Sequence, residues 1–524
     1  MKAEDDAIIP LSRWRASLAR ARRGRRADLI LADPDAERLV PQLPIQDLYY
    51  AIKEVGLHDA HELVAMASPE QVRGLVDLDA WQRDHLDEAR VDEWLNALVE
   101  AGPGKLKAAI EGLDPELIAL VVQRQANVYD LTLEEPMPEE PVGQFYPTPD
   151  RFFMLDVLVG GEEGKAFTRM LDWLYRADLE FARRVIMSAK WEMGSDLEEH
   201  AYRWRTGRMS DLGYVEFYEA LGIYQYLDPA SVRVDENSAQ SVAGAGADAA
   251  HSLPMQLAGG IDTGSFFARA LGTIPVEAEI DRLQNLLMLL VNKAMAADLV
   301  EPGDVERAQL TLEQSVGYLG IGLEYLARSD VDRAGQALRS VALERIFRVG
   351  VSLTLQLKKL AETLAGPKGA GVLLLDEPYD QLVAGLRRQR PRFADRPFKS
   401  LADIRTAAGT LEEAAHLGPF VFTLVGLDPH SLAAAVASSM TAPSDVKYGT
   451  LVRTWAANVL LERAPEVRPL HPRDLRSLGK LEAADREKLA RAMAKPLSPL
   501  EQRWMDDWLT PFPNGLLVRY SWLK

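Results

Sequence analysis

The sequence predicts a mainly all-α protein: a superhelix of stacked short helices followed by a helical bundle, with a small β element near the C-terminus. Three observations lead there. Helix-start signals crowd residues 43 to 131, longer apolar stripes of helical period follow further on, and the composition is that of an ordinary globular chain, 47% apolar and 26% charged. At 524 residues the chain exceeds what one core usually supports, so two to four packed units are expected.

The N-terminus is basic in an acidic protein of net charge −18. Arg13, Arg15, Arg20, Arg22, Arg23, Arg25 and Arg26 follow one another with no acid between them, while Leu11, Trp14 and Leu18 share a helical face. A basic amphipathic helix of this kind can touch RNA, an anionic membrane surface or an acidic partner. The plainer expectation is an arm, residues 1–26, that folds back onto the acidic body. Glu4, Asp5 and Asp6 ahead of the arginines, with no apolar run behind them, fit neither a secretory signal nor a transit peptide.

Residues 27–131 form the expected short-helix domain. Ser68-Pro69-Glu70-Gln71 combines an N-cap hydroxyl, proline at the first helical position and the glutamine of a capping box. Asp114-Pro115, Asp228-Pro229 and Asp428-Pro429 pair a capping carboxylate with proline, and Thr311-x-x-Gln314 and Thr410-x-x-Glu413 repeat the capping-box pattern. Helices of about ten residues are marginal alone and persist by burying a face against neighbours, so stacking is expected.

The run LPIQDLYYAIKEVGLHDAHELVAMASPEQVRGLVDLD, continuing to LKAAIEGLDPELIALVV, resembles the cytosolic N-terminal domain of MgtE-type magnesium transporters. Leu63, Leu75, Leu78, Leu113 and Leu117 reproduce that family's rhythm of leucine pairs, small gaps and acids over residues 40–131. The resemblance implies a helical superhelix. It implies no magnesium sensing, because the transporter's membrane and nucleotide-binding-like domains have no counterpart in this sequence. Over its whole length the chain resembles a bacterial family of uncharacterised proteins of similar size.

Five prolines and four glutamates make residues 132–150 an expected extended connector. The helical segment 151–233 is rich in Trp, Tyr and Arg. Arg203, Trp204, Arg205 and Arg208 together suggest base stacking in RNA or a nucleotide, against a plainer reading of core aromatics with arginines paired to Glu198 and Glu199. Residues 234–264, rich in Ala, Gly, Ser and Asp, read as a mobile loop.

The C-terminal helical domain, 265–524, is expected to hold three long helices. Their stripes are Ile280, Leu283, Leu287, Leu290 and Ala294; Val316, Leu319, Leu323 and Leu326; and Ile346, Val349, Leu353, Leu357, Leu360 and Leu364. Gly317, Gly320 and Gly322 would let a neighbouring backbone approach closely. FVFTLVGL (420–427) is ambiguous between strand and buried helix, and Pro513-Asn514-Gly515 before LLVRYSW suggests a turn into a strand. The most apolar stretch, Leu286 to Val291, is flanked by Gln284, Asn285, Asn292 and Lys293 and falls short of the roughly 20 residues of a membrane span.

Motifs with chemical meaning are scarce. GVLLLDEP (371–378) resembles the strand and acidic pair of a Walker B motif, but no phosphate-cradling G-x-x-x-x-G-K-[ST] accompanies it, and Gly102-Pro103-Gly104-Lys105 is too short to serve. His61-Glu62 begins H-E-x-x-H and ends it wrongly at Ala65; His58, His61 and Glu62 share a face without a distant fourth ligand. Zero cysteines exclude disulfides, thiolate zinc sites and cysteine nucleophiles, and suit a reducing, cytoplasmic setting.

No catalytic residue, cofactor or metal ligand is therefore assigned. The sequence points to a non-enzymatic scaffold or adaptor that binds a protein partner through its stacked helices. Two alternatives stay open: an enzyme or ligand-binding protein whose site is assembled from distant residues, and an RNA- or membrane-surface factor using the arginine arm. A deep pocket with convergent charged groups would favour the first alternative, and a broad apolar groove without buried charge the adaptor.

Overall fold

The computed structural model describes Trp14, Leu18 and residues 25–82, 84–133, 136–234, 262–366, 373–426, 429–493 and 495–519. The fold is mainly α-helical. It divides into two compact units, Met1–Gln225 with Val232–Arg348, and Tyr226–Ser231 with Val349–Lys524. No helix among the described residues is long and apolar enough to cross a membrane.

The first unit opens with α1 (Arg26–Leu31), α2 (Ile45–Val55), α3 (His61–Met66), α4 (Pro69–Asp79), α5 (Glu88–Glu100), α6 (Pro103–Gly112) and α7 (Pro115–Gln125). These short helices stack on their next-but-one neighbours, α2 on α4, α4 on α6 and α3 on α5. Each buries one apolar face, as Leu48 and Ile52 of α2 and Val72 and Leu75 of α4 show. The Ser68 box forms as expected, with Ser68 Oγ accepting from Gln71 N–H at 3.1 Å and Gln71 Oε1 from Ser68 N–H at 2.8 Å.

Other start signals resolve differently. Asp114 precedes α7 but makes no cap bond; Arg208 takes its carboxylate instead. Asp228 accepts from Ala230 N–H at the head of a short 3-10 turn, and Asp428 lies outside the described residues. Thr311 and Thr410 stand inside longer helices and bond back to the carbonyls of Arg307 and Thr406. The true caps are Asp304 and Ser400, because a threonine hydroxyl in a helix interior is satisfied by the preceding turn.

One strand lies where the sequence suggested a connector, and the others lie on either side of it. Trp81–Gln82 (β1) and His85–Leu86 (β2) form a hairpin; Ala126–Asp130 (β3), Gln144–Pro147 (β4) and Phe153–Val157 (β5) form an antiparallel sheet in the order β3-β5-β4. Residues 132–150 therefore carry a strand of the first unit. Fully buried Asp156 fastens that strand's approach, accepting from the N–H groups of Val142 and Gly143 at 2.8 and 2.9 Å. Pro147, which has no N–H, is tolerated because β4 is an edge.

Helices α8 (Gly161–Ala177), α9 (Leu179–Trp191) and α10 (Gly194–Asp211) complete the stack, α8 against α5 and α6, and α9 and α10 against α7. The unit continues through α11 (Phe266–Leu271), α12 (Glu277–Ala297), α13 (Val305–Leu326), α14 (Val331–Ser340) and the first turns of α15 (Leu343–Ala365). The division thus falls within α15, rather than at the expected boundary of 265. Asn292 Nδ2 donates to Leu212 O and Tyr224 Oη to Asp298, which holds α12 to the earlier chain.

The close approach expected of the α13 glycines is realised at Gly322, where an added Cβ would run into Ile346 O. Along α15, Ile346, Val349, Leu353 and Leu357 are buried, but Leu360 is 53% exposed and Ala361 takes its place as the stripe drifts around the helix. Most of the expected loop 234–264 lies outside the described residues.

The second unit holds α16 (Tyr379–Leu386), α17 (Leu401–Val425), α18 (Pro429–Ala437), α19 (Tyr448–Leu460), α20 (Ala483–Ala492) and α21 (Pro499–Leu509). The ambiguous segment from Phe420 belongs to α17, burying Phe420, Val421 and Val425 before Gly426 ends the helix at a φ of 65°. At its centre is α19, with Leu451, Val452, Trp455, Ala456 and Ala457 buried and α17, α20 and α21 packed around it. The C-terminal strand expected after Gly515 is reduced, among the described residues, to isolated bridges, Leu470 with Val518 and Ser439 with Arg519.

Candidate functional site

Each position singled out by sequence has its own fate. Arg13, Arg15, Arg20, Arg22 and Arg23 lie outside the described residues, and Arg25 is exposed. Arg26 turns inward: it pairs with the buried carboxylate of Glu54 and donates through Nε to Leu18 O at 3.2 Å, while Trp14 and Leu18 are buried. Arg26 is therefore not part of an open basic surface.

The Arg203 to Arg208 group is divided by the helical period. Arg203 pairs with Glu199 in solvent beside Trp204, which is 61% exposed. Arg205 lies over the Trp81 ring and donates to Asp77 O, and Arg208 grips Asp77 and Asp114. These two guanidiniums are half-buried and engaged with protein partners, so the four residues form no single stacking platform. His58 lies exposed just before α3, and His61 and Glu62 are exposed at its start.

The DEP end of GVLLLDEP has a different role from the one it resembles. Gly371 and Val372 lie outside the described residues, no strand forms over residues 373–378, and Glu377–Pro378 is a cis peptide. Asp376, Glu377, Pro378 and Tyr379 border a pocket of about 470 Å³ in the second unit, together with Thr410, Glu413, Arg453, Arg503, Trp504, Asp507 and Trp508. Its volume falls within the range of small-molecule sites, roughly 300–1,000 Å³.

Helix geometry places these groups. Ser498 and Glu501 form a capping box that starts α21, with Pro499 at its first position. Four residues on a helix bring Trp504 under Trp508, their rings stacked at 6.3 Å, and Phe420 of α17 lies against both. The three-residue step on α17 turns Thr410 and Glu413 to the same side.

A hydrogen-bond chain, buried at its tryptophan end and exposed at its arginine end, stiffens one wall. Trp504 Nε1 donates to Tyr379 Oη at 2.8 Å, Tyr379 Oη donates to Glu413 Oε2 at 2.9 Å, and Arg503 Nη2 reaches the same oxygen. Burial, with Glu413 nearby, pushes the Tyr379 phenol above its ordinary pKa, so it stays protonated and can donate.

On the other wall, Arg453 is committed to the backbone, donating through Nη1 to Trp508 O at 3.1 Å and through Nε to Gly515 O at 3.2 Å. Asp376 Oδ2 accepts the Gly449 N–H at 2.9 Å. Gly449 is required by that approach: a Cβ there would stand 2.8 Å from the Trp508 ring and 2.9 Å from Asp376 Oδ1. Burial raises the Asp376 carboxyl above the usual carboxylate range, against the pull of the Gly449 hydrogen bond and of Arg453 and Lys447.

Residues 3–521 match the family of unknown function DUF6178. The chain belongs to this family. No curated protein and no solved structure matches it. Membership in DUF6178 carries no activity with it, and any functional reading rests on the geometry above. Of that geometry, the capping box at Ser498 and the four-residue step from Trp504 to Trp508 are local signals in the sequence. The convergence of Asp376, Glu413 and Arg453 is not, because the three stand on separate elements, the turn before α16, helix α17 and helix α19, and meet only through folding.

Proposed function

We propose that the chain is a binding protein for a small polar ligand, held in the pocket of the second unit. The observation that carries the reading is the convergence of charged groups from four separate stretches of sequence, Asp376, Glu413, Arg453 and Arg503, with two stacked tryptophans, around one concave space. Among the sequence alternatives this is the site assembled from distant residues. Nothing in the arrangement assigns a chemical step. Cytoplasmic residence, expected from the cysteine-free composition, belongs to the same proposal.

The test uses the full chain. Purified protein is equilibrated with a small-molecule extract of cells, passed through a desalting column, denatured, and its released compounds identified by mass spectrometry. Retention of a defined compound by the native chain, and its loss in a Thr410→Trp variant that fills the pocket and still melts cooperatively, supports the reading. Equal retention by both chains, or none by either, overturns it.

A scaffold that docks a protein partner is the second reading. It is favoured by α9, α10 and the turn between them, where Met187, Trp191, Met193 and Trp204 are each about half exposed or more. Here a stoichiometric complex would be isolated with the endogenous protein and lost on Trp191→Ser/Met193→Ser replacement. Recovery of the chain alone counts against this second reading.

A further inference from the structure

Resting on the pocket reading, we infer that the ligand presents a cationic head, an ammonium or amidinium, to Asp376, with its carbon stem beside the rim of the buried tryptophan pair. The lining carries four carboxylates, Asp376, Glu377, Glu413 and Asp507, against two guanidiniums, Arg453 and Arg503. Both guanidiniums are already engaged: Arg503 bonds Glu413, and Arg453 bonds the carbonyls of Trp508 and Gly515. An anionic ligand would meet surplus negative charge and two guanidiniums that already spend part of their donor sets on the protein.

Asp376 is in the opposite condition. Its hydrogen bond comes from the Gly449 N–H to Oδ2, and no side-chain donor among the described residues bonds it. Partly buried, and near Arg453 and Lys447 without a hydrogen bond to either, it gains a direct partner from a ligand that supplies a cation. The wall beside it is aromatic, with Trp508 packed close to both Gly449 and Asp376. Both indoles are buried, Trp504 3% and Trp508 6% exposed, so they offer a narrow apolar strip for the carbon stem of an organic cation to touch. The pocket therefore combines the two elements that select an organic cation over a hydrated metal ion: a carboxylate for the charge and an apolar strip for the carbon stem.

The experiment titrates the full chain with benzylammonium, benzyl alcohol and benzoate, which share one ring and differ in charge, and separately with magnesium and calcium chloride, by calorimetry. Benzylammonium is expected to bind about tenfold tighter than the other two organic probes, the gain of one desolvated charge contact. Asp376→Asn should remove that preference and leave benzyl alcohol unchanged. If this variant does not fold, the exposed pair Glu377→Gln/Asp507→Asn should reduce the preference severalfold by lowering the field of the rim. Tightest binding of benzoate or benzyl alcohol overturns the cationic inference and leaves the pocket reading standing. Saturable binding of magnesium or calcium without benzylammonium also overturns it. Absence of binding by every probe overturns it too, and the pocket reading is then decided separately by retention from the cell extract.

Discussion

Arg208 grips Asp77 through two nitrogens, Nε to Oδ2 at 2.6 Å and Nη2 to Oδ1 at 3.0 Å, and its Nη2 also reaches Asp114 Oδ2 at 2.6 Å. One guanidinium from α10 thereby holds α4 and the head of α7. Asp77 and Asp114 are mostly hidden from solvent, at 5% and 15% side-chain exposure, so neither carboxylate can recover its hydration if the arginine is removed. Arg208→Met should destabilise the first unit by about 3 kcal/mol, the lower end for breaking a buried pair. Adding Asp77→Asn should restore part of the loss, giving a coupled double-mutant cycle in urea denaturation. Simple additivity would contradict the clamp.

Gly322 invites the opposite intuition. Alanine is the better helix former by about 1 kcal/mol, so Gly322→Ala in an open helix would stabilise. Here the new methyl would collide with Ile346 O, a backbone atom that cannot swing aside. A net loss of about 1–3 kcal/mol is expected from overpacking. A raised melting temperature would show that the two backbones are not in contact in solution.

Tyr379→Phe removes the acceptor for Trp504 Nε1 at a site where Trp504 is only 3% exposed. The orphaned indole N–H should cost about 1–3 kcal/mol, seen in the unfolding of the second unit and in the tryptophan emission of the folded chain. In the Trp504→Phe background no indole is left to orphan, so Tyr379→Phe should cost less there than in the native chain. An equal cost in both backgrounds would place the stabilisation in the phenol–Glu413 bond instead.

Cation binding in the pocket should depend on pH through Asp376. The carboxyl is raised by burial and by Asp380, and lowered by the Gly449 hydrogen bond, Arg453 and Lys447; the Tyr448 phenol lies nearby and is itself raised by burial. Protonated Asp376 offers a cation nothing, so benzylammonium affinity should rise with pH through the raised pKa of that carboxyl and then level off. Calorimetry between about pH 4 and about pH 8 reads this directly. A flat profile, identical in Asp376→Asn, would remove Asp376 from recognition.

Where local signals were sufficient, the chain was legible. The short helices between residues 45 and 125 follow from caps, prolines and apolar period, and Ser68 with Gln71 forms the box its sequence describes. Two kinds of information were missing. Strands of four or five residues, one of them ending in Pro147, are too short to show a period and are defined by their pairing with β5. Polar residues choose partners in space: Asp114 satisfies Arg208 rather than its own helix, and Thr311 satisfies the turn before it. The pocket is the same case on a larger scale. DEP at 376–378 is conspicuous in the sequence for its likeness to a nucleotide motif, while its working neighbours, Arg453 and Trp508, lie far along the chain.

The junction of α7 and β3 has an architectural consequence. Helix α7 ends at Gln125 and β3 begins at Ala126, with Leu158 N–H closing onto Gln125 O at 2.8 Å. A row of short helices has no intrinsic length, and duplication of one step extends it with little disturbance elsewhere. Here no linker exists in which a copied step could be accommodated after α7, because the next residue is already committed to a sheet register. The run of closely joined short helices is closed at that edge, and α8 to α10 pack back against α5, α6 and α7 instead of prolonging it.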